Sequence, residues 1–461
     1  MKSYTSILLG FGALAAAAPQ VTLTPASGPV PPVRSSEVTG PTSHGPYSGP
    51  APTVTGALSQ PALAASVAPL PSATVTYNNT NGLLQAANEP VPYQPAGGVG
   101  VNGSQPYYHP LSDFDYESLT LALYQEWIEL DLFHNGLAQF SAADFTAAGL
   151  TAEDRFLIEF MADQEVGHAT LLSNILGVAA PKQCTYNYPY TTVREFIDFC
   201  QKLTRFGESG VYGFLGHLDS RESATLLLQS ITTEARQQFA FRQMDGLFPM
   251  PVWFEVGVPQ SWAWTLLAPY ISSCPANNTR LAWQNFPNLT IINQPNVFKI
   301  NPNLNSNSSA TGSNPSNDTG IATSNACYNS TMVGSDCAPA ISHNRSIPLS
   351  YPGRPVYFSW GNVNSTVGPN NSYVTARSPL ADAPRYAMFV SQLNATYVPL
   401  MNISGNTAYA VQPNMSTFAG DPAANGTMFI ALTSQNPYLT PFNLSLINPY
   451  VYAGPALYQA G

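Results

Sequence analysis

The stretch Glu165-Val166-Gly167-His168 places a carboxylate and an imidazole three residues apart. On a helix this spacing brings both side chains to one face, one turn apart. The stretch Glu234-Ala235-Arg236-Gln237 repeats the spacing, with a glutamine in place of the histidine. Helical bundles build carboxylate-lined metal sites from glutamates and such Glu-x-x-His pairs on facing helices. The two stretches therefore predict a helical bundle with a metal site in its interior.

Apolar residues at intervals of three and four predict four helices around these stretches. Their expected positions are about 114–138, 152–176, a third segment that starts near Thr191 or Thr192, and about 221–244. The inner face expected for the first helix is Leu119, Leu123, Glu126, Leu130, Phe133 and Leu137. That of the second helix is Leu157, Phe160, Met161, Gln164, His168, Leu171, Leu172 and Ile175. Residues 177–190 are too long for a hairpin turn and predict a crossover.

The carboxylates on these helices lie at matching heights in the expected bundle. At about 1.5 Å per residue, Glu126 and Glu165 both lie roughly 18 to 20 Å from the turn that joins their helices. By the same rise, Glu208 and Glu234 lie roughly 15 and 20 Å from the turn that joins the third and fourth helices. Burying several unpaired charges at one level is costly, so cations or shared protons must neutralise them.

A pair of iron or manganese ions is the known solution in bundles of this kind. Glu129 is a candidate because it lies one turn beyond Glu126 and could take its place. The full set of candidate metal ligands is Glu126, Glu129, Glu165, His168, Glu208, Glu234 and Gln237. We expect metal ions as partners, iron or manganese as the cofactor, and oxygen or peroxide as co-substrate if the centre is active.

Each candidate also has a plainer interpretation. A histidine on an apolar face, such as His168, is more often a hydrogen-bonded core residue than a ligand. Glu208 follows a glycine and could face water at a helix kink. Arg236 or Arg242 could pair with a carboxylate and replace metal as the source of positive charge.

Glycines at positions 207, 210, 213 and 216 recur in the third predicted helix. Each glycine inside a helix costs roughly 1 kcal/mol relative to alanine. Close helix packing or ligand access could offset this cost. The alternative is a broken helix.

The start of the chain is typical of a secretory signal peptide, with Lys2 before an apolar stretch and small residues at 16–18. No later apolar run approaches the roughly 20 residues that a membrane helix needs. We therefore expect a secreted, extracellular protein, with association with the cell wall and its components as an open option. The expected organisation is a signal peptide at 1–18, a disordered Pro/Ser/Thr-rich stalk and turn-rich lead-in at 19–110, the helical bundle at 111–250, and a glycosylated C-terminal module at 251–461.

Composition excludes some partners. The net charge is −10 and the chain has no basic cluster, whereas nucleic acids and anionic lipids are bound through Lys/Arg-rich surfaces. Charged residues are only 9% of the chain, so amides, hydroxyls and glycans must help to keep it soluble. Sites for N-glycosylation recur after residue 270, among them Asn277, Asn288, Asn364, Asn402 and Asn443.

Five cysteines in an oxidising compartment permit two disulfides and one free thiol. Pairing does not follow from the spacing, but we expect Cys327 with Cys337 and Cys184 with Cys274. Cys200 lies on the apolar face of a predicted helix, where a buried, unreactive thiol is expected.

The pattern changes after Pro249, where Pro, Asn, Ser and aromatic residues dominate. Apolar runs of strand length occur at 356–360, 387–390, 397–401 and 428–432. They predict a β-rich or irregular C-terminal module, with a low-complexity loop at 301–320. This module has no recognisable Ser/His/Asp set, phosphate loop or Cys-x-x-Cys motif, which directs the search for function to the bundle.

The residues around Glu234 also resemble a known family. The stretch 234–238, followed by Phe241-Arg242-Gln243 and then by residues 246–254 (Gly-Leu-Phe-Pro-Met-Pro-Val-Trp-Phe), resembles the secreted fungal stress- and starvation-response proteins that carry a ferritin-like domain. Late-sexual-development proteins of fungi and desiccation-related proteins of plants look similar over the helices. The resemblance covers about residues 111–285.

This resemblance implies a mainly α N-terminal ferritin-like four-helix bundle, up-down-down-up with one long crossover, followed by a Pro/Asn/Ser-rich β or irregular C-terminal module. The metal ligands that it implies are Glu126, Glu165, His168, Glu208 and Glu234. Gln237 departs from the pattern, because several relatives carry a histidine there.

The expected function is that of a secreted ferritin-like stress-response protein with a dinuclear iron or manganese carboxylate site. The alternative is a non-catalytic, glycosylated extracellular or cell-wall protein of stress or development that keeps the bundle without bound metal. We assign no catalytic residues; an active protein would be a di-metal carboxylate oxidoreductase.

Overall fold

The computed structural model describes residues 108–295 and 348–461. The predicted signal peptide, nearly all of the predicted stalk, the loop at 301–320 and the expected Cys327–Cys337 pair lie outside these residues. All described residues belong to one of the two compact units into which the chain divides. None of the helices in these two ranges has the length and apolar character needed to span a membrane.

Helices make up most of the first part of the described chain; the four long ones lie where the sequence predicts, and α2 and α6 were not predicted. Their bounds are α1 Asp113–Gln139, α2 Ala142–Ala147, α3 Ala152–Leu176, α4 Val193–Leu215, α5 Arg221–Met244 and α6 Gln260–Leu267. Side-chain oxygens cap the four long helices by accepting from backbone N–H groups of the first turn, and these caps are Ser112, Thr151, Thr192 and Ser220. Local sequence therefore fixes where the long helices begin.

Helix α1 is the centre of the bundle. It packs against α3, α4 and α6 and is buried along most of its length. All six residues of its predicted inner face are buried. Polar side chains in the middle of α1 are therefore withdrawn from water.

The predicted inner face of α3 is partly wrong. Leu157 and Phe160 are 39% and 51% exposed, and Phe156 beside them is also exposed. The buried face of α3 instead runs through Ile158, Ala162, Glu165 and Ala169, so it is rotated by about one residue from the predicted face. Farther along α3, Met161, Leu172 and Ile175 are buried as predicted.

Helix α4 is continuous, and its glycines allow close packing. A Cβ atom on Gly207 would lie 2.6 Å from Nε2 of Gln125, and one on Gly213 would lie 1.8 Å from the carbonyl oxygen of Val258. Both distances are far below van der Waals contact. Close packing therefore explains these two glycines, and the alternative of a broken helix is wrong.

Antiparallel strands dominate the rest of the described chain, as predicted. Their bounds are β1 Thr185–Tyr186, β2 Ile271–Ser273, β3 Leu289–Ile291, β4 Pro355–Trp360, β5 Thr366–Val367, β6 Tyr373–Val374, β7 Tyr386–Ser391, β8 Asn394–Pro399, β9 Met401–Ser404, β10 Thr407–Val411, β11 Thr427–Thr433 and β12 Val451–Gln459. Two four-stranded sheets have the orders β3-β4-β10-β9 and β12-β11-β7-β8. The remaining strands pair as β1-β2 and β5-β6.

The sheet β12-β11-β7-β8 lies between the helices and the other four-stranded sheet. Met388 and Phe429 belong to a hydrophobic cluster that includes residues of the helices. Their neighbours Phe389 and Ile430 belong to a second cluster, which includes residues of β3, β4 and β10. This alternation follows from the two-residue period of a strand. The first cluster contains residues from both sides of position 250, and the expected domain boundary there stays a prediction.

Cys184 and Cys274 form a disulfide, as predicted, which joins the α3–α4 connection to the segment after α6. Cys200 is a buried free thiol, and burial raises its pKa. A thiol with a raised pKa is a poor nucleophile, in agreement with the expectation from sequence. Predicted glycosylation sites are accessible, with exposed side chains at Asn277, Asn288, Asn364 and Asn402 and a half-buried one at Asn443.

Candidate metal centre

Four of the predicted ligands converge inside the bundle. One ligand atom each from Glu126 of α1, Glu165 and His168 of α3, and Glu234 of α5 lie within 4.8 Å of one another. The three glutamates are buried, and the side chain of His168 is 12% exposed. Three carboxylates in so small a volume repel one another and require positive charge or protons.

His168 contacts all three carboxylates through one ring nitrogen. Its Nδ1 lies 3.1 Å from Oε2 of Glu165, 3.3 Å from Oε2 of Glu126 and 3.7 Å from Oε1 of Glu234. Burial lowers the pKa of His168, but the carboxylates of Glu126 and Glu165 outweigh this effect and raise the pKa to about 12. A protonated His168 would neutralise one of the carboxylates.

The other ring nitrogen of His168 is held by Thr233. Nε2 lies 3.0 Å from Oγ1 of Thr233, whose hydroxyl donates its hydrogen to the carbonyl oxygen of Ser230 at 2.7 Å. Because a hydroxyl has only one hydrogen, Thr233 accepts from Nε2–H. In a neutral ring, Nδ1 then carries the lone pair that faces the carboxylates, which is the arrangement of a metal-binding histidine.

Burial is the main cause of the raised pKa values of the carboxyl groups in this cluster. It raises the pKa of Glu126 to about 7, although His168 opposes the shift. It raises the pKa of Glu234 well above the usual range, with Glu126 and Glu129 adding to the effect. Both shifts favour the protonated carboxyl groups, and a bound cation would displace those protons.

Glu129 lies beside this group. It is fully buried, and its Oε1 accepts a hydrogen bond from Nε2 of Gln125 at 3.1 Å, while Oε2 has no hydrogen-bond partner. Burial and then the charge of Glu165 raise its pKa well above the usual range. Of the two candidates on α1, Glu126 belongs to the group within 4.8 Å, and Glu129 lies outside it, buried and near enough for the charges of Glu165 and Glu126 to raise its pKa.

Gln237 also faces the group, in the place where the sequence pattern would have a second histidine. Its Nε2 donates to Oε1 of Glu165 and, at 3.3 Å, to Oε1 of Gln164. Its own Oε1 is buried and has no hydrogen-bond partner. Gln237 thus positions Glu165 and leaves a carbonyl oxygen unused.

The structure does not bring Glu208 to the same place. Glu208 forms an ion pair with Arg205 at 3.1 Å, and Arg205 also contacts Glu255. Burial raises the pKa of Glu208 to about 8 although Arg205 opposes the shift. The three-residue spacing of Arg205 and Glu208 on a helix is a signal of such a pair, whereas the sequence gave no signal for Glu255. Arg236 is exposed and donates to the carbonyl of Thr232, so the suggestion that it neutralises the cluster is not supported.

The donor set fits a cation. Oε2 of Glu129 and Oε1 of Gln237 are buried oxygens without hydrogen-bond partners, and such atoms are costly unless they meet a donor or an ion. Carboxylates, one amide oxygen and one imidazole form a ligand set suited to iron, manganese and related divalent ions. The carboxylates of Glu126, Glu129, Glu165 and Glu234 would carry four formal negative charges, which two divalent cations would balance.

Comparison with known proteins agrees with this description of the helices. Residues 114–246 match the family described as "Ferritin-like domain". The chain is also 48% identical over 392 residues to "Protein rds1" of Schizosaccharomyces pombe, an alignment that covers 84% of this chain and 92% of that protein. Similarity of this extent includes the sheets as well as the helices. The chain therefore belongs to the family of Protein rds1, and its helical part is a ferritin-like domain.

Proposed function

We propose that this protein is a secreted ferritin-like stress-response protein whose bundle binds a pair of divalent cations, with iron or manganese as the redox-active metal. The observation that carries the proposal is the buried group of Glu126, Glu165, His168 and Glu234, whose ligand atoms lie within 4.8 Å of one another. Buried carboxylates are rare without compensating charge, and bound cations supply that charge. The stress-related part rests on the family resemblance, and a deletion strain that survives starvation and drying like its parent would contradict it.

Residues around the ligands would prepare the site. Thr233 fixes the ring of His168 so that Nδ1 faces the carboxylates, and Gln237 fixes the carboxylate of Glu165. Metal binding would displace the protons that burial favours on Glu126 and Glu234. Bound iron or manganese would supply redox chemistry with oxygen or peroxide.

Metal analysis of the secreted protein tests the proposal. Protein produced in medium with iron, manganese and zinc is expected to contain at least one transition-metal ion per chain, and Glu165→Ala is expected to lose most of it. Asp163→Ala is the matched control, because Asp163 is an exposed carboxylate on the same helix. Equally negligible metal in the wild type and in Glu165→Ala would refute the proposal.

A second candidate function is a non-catalytic glycoprotein of stress or development without metal. The contacts of His168 favour it, because a protonated imidazole and protonated carboxyl groups can also neutralise the cluster. Thermal unfolding with and without a chelator separates the two functions. Metal bound to the folded state raises the melting temperature, so a chelator would lower it; a chelator has no effect in the metal-free alternative.

Secretion and N-glycosylation are part of both proposals, with the cell wall as one destination. The Cys184–Cys274 disulfide supports this, since such bonds are typical of oxidising compartments. The accessible asparagines of the glycosylation sites support it as well. Fractionation into cytosol, wall and medium, combined with glycosidase treatment, is the test. Unglycosylated protein retained in the cytosol would contradict it.

A further inference from the structure

The residues of the metal centre lie in two layers one helical turn apart. Each of α1, α3 and α5 contributes two residues that are three positions apart: Glu126 and Glu129, Glu165 and His168, and Glu234 and Gln237. His168 contacts Glu126 and Glu234, and we call these three residues the imidazole layer. Gln237 bonds Glu165, and Glu129 lies one turn beyond Glu126 on α1; we call Glu129, Glu165 and Gln237 the oxygen layer.

Glu165 connects the two layers. Its Oε2 lies 3.1 Å from Nδ1 of His168, and its Oε1 accepts from Nε2 of Gln237. One carboxylate oxygen is therefore directed to each layer. Glu165 would therefore help to hold a cation in either layer.

The two layers differ in chemistry because of Gln237. The imidazole layer offers a nitrogen ligand, whereas the oxygen layer offers carboxylates and an amide carbonyl. Two oxygens of that layer, Oε2 of Glu129 and Oε1 of Gln237, are buried without hydrogen-bond partners. The N–H groups of Gln237 already bond Glu165 and Gln164, so its carbonyl is the group left for a cation.

We propose that the two layers bind different cations: a transition-metal ion in the imidazole layer and an oxygen-preferring divalent cation, of the manganese or magnesium class, in the oxygen layer. Imidazole suits zinc and iron, whereas carboxylate and carbonyl oxygens suit magnesium, calcium and manganese. A histidine at position 237 would give both layers a nitrogen and remove the difference. Gln237 is thus the specificity-determining residue of a mixed-metal centre, an inference that rests on the proposed metal-binding function.

Zinc and manganese together test this inference. The full-length secreted protein is stripped with a chelator, titrated calorimetrically with Zn²⁺, and then given Mn²⁺, which is counted by electron paramagnetic resonance. The wild type is expected to bind one zinc ion tightly and then one manganese ion. Gln237→His is expected to bind two zinc ions and to lose at least ten-fold in manganese affinity once zinc is bound.

Two further variants sharpen the test. Gln237→Glu keeps an oxygen ligand and adds charge, so it should still bind one zinc ion and hold manganese several-fold more tightly. Gln229→His is the control, because it adds a histidine at an exposed position of the same helix. Gln229→His should bind the same numbers of zinc and manganese ions as the wild type. If Gln237→His does not fold, as judged by circular dichroism, the result for Gln237→Glu decides.

The outcomes separate this inference from the proposed function. Two zinc ions of equal affinity in the wild type, or no manganese bound beside zinc, would overturn the mixed-metal assignment while leaving metal binding intact. Manganese binding that Gln237→Glu leaves unchanged would also overturn it. A wild type that binds neither ion would overturn the proposed function itself.

Discussion

Oγ1 of Thr233 lies 3.0 Å from Nε2 of His168 and donates its own hydrogen to Ser230. The hydroxyl therefore keeps a hydrogen on Nε2 and directs Nδ1 towards Glu126, Glu165 and Glu234. Partners of this kind influence metal affinity without touching the metal.

Thr233→Val should weaken metal binding while leaving every ligand in place. Valine has nearly the same shape but cannot accept from Nε2–H, so we expect an affinity loss of about 10-fold to 100-fold. Calorimetric titration of the stripped protein measures it. Thr232→Val, at an exposed position one residue away, is the control. Unchanged affinity in Thr233→Val would show that this hydrogen bond does not orient the ligand.

Two glycine substitutions should change stability in opposite directions. Gly213→Ala forces a Cβ against the carbonyl oxygen of Val258, and overpacking of this kind costs about 1–3 kcal/mol or more. Gly167→Ala meets nothing within 4 Å and removes a flexible residue from the middle of α3, which should stabilise the protein by about 0.5–1 kcal/mol. Urea unfolding of both variants gives the two values. Equal effects would contradict the close packing of α4.

Loss of the Cys184–Cys274 disulfide should lower the free energy of unfolding by about 2–5 kcal/mol. The bond joins residues separated by 90 positions, so it restricts the unfolded chain strongly. The measurement compares denaturant unfolding of the wild type and the Cys184→Ala/Cys274→Ala variant, each with and without reductant. Reductant should destabilise the wild type more than the variant. Identical midpoints for the two oxidised proteins would contradict the prediction.

Asp245 should make stability depend on pH. Its carboxyl group is buried without hydrogen-bond partners, and burial raises its pKa well above the usual range, with Asp198 adding to the effect. An acid with a raised pKa in the folded state favours folding less as the pH rises above its unfolded pKa of roughly 4. The contribution of Asp245 to stability is therefore lost as the pH rises from the unfolded-state pKa to the folded-state pKa.

Asp245→Asn removes this dependence. It should be more stable than the wild type by at least about 1 kcal/mol near pH 8, with the difference shrinking towards pH 4. Urea unfolding across this range measures the difference. Asp163→Asn, at an exposed position, should show no such trend. A difference that is constant with pH would contradict the buried-carboxyl explanation.

The long helices and the buried cluster of glutamates and His168 could be predicted because their signals are local. Caps such as Ser112 and Thr151 mark helix starts, and the rise of a helix sets the height of Glu126 against Glu165. The four residues within 4.8 Å of one another were all candidates from sequence. The carboxylate of Glu208 does not lie where its height on the helix predicts, because it forms an ion pair with Arg205.

Features that depend on distant parts of the chain could not be predicted. Leu157 and Phe160 are exposed because the buried face of α3 runs through the adjacent residues Ile158 and Ala162, and apolar residues on both faces leave this choice to tertiary packing. Helix α6 is only eight residues long, too short for a clear periodic signal, although Trp262 and Trp264 in it are fully buried. Strand β12 contains Gly454-Pro455, and both residue types argue against a strand when only the sequence is known.

Crystals soaked in Mn²⁺ or Fe²⁺ and measured at the metal absorption edge would test the central claim most directly. We predict an anomalous peak within bonding distance of Nδ1 of His168 and of carboxylate oxygens of Glu126, Glu165 and Glu234, and its absence in crystals of Glu165→Ala. Occupied peaks only at surface carboxylates, with His168 still bonded directly to Glu165, would contradict the assignment of this cluster as a metal centre.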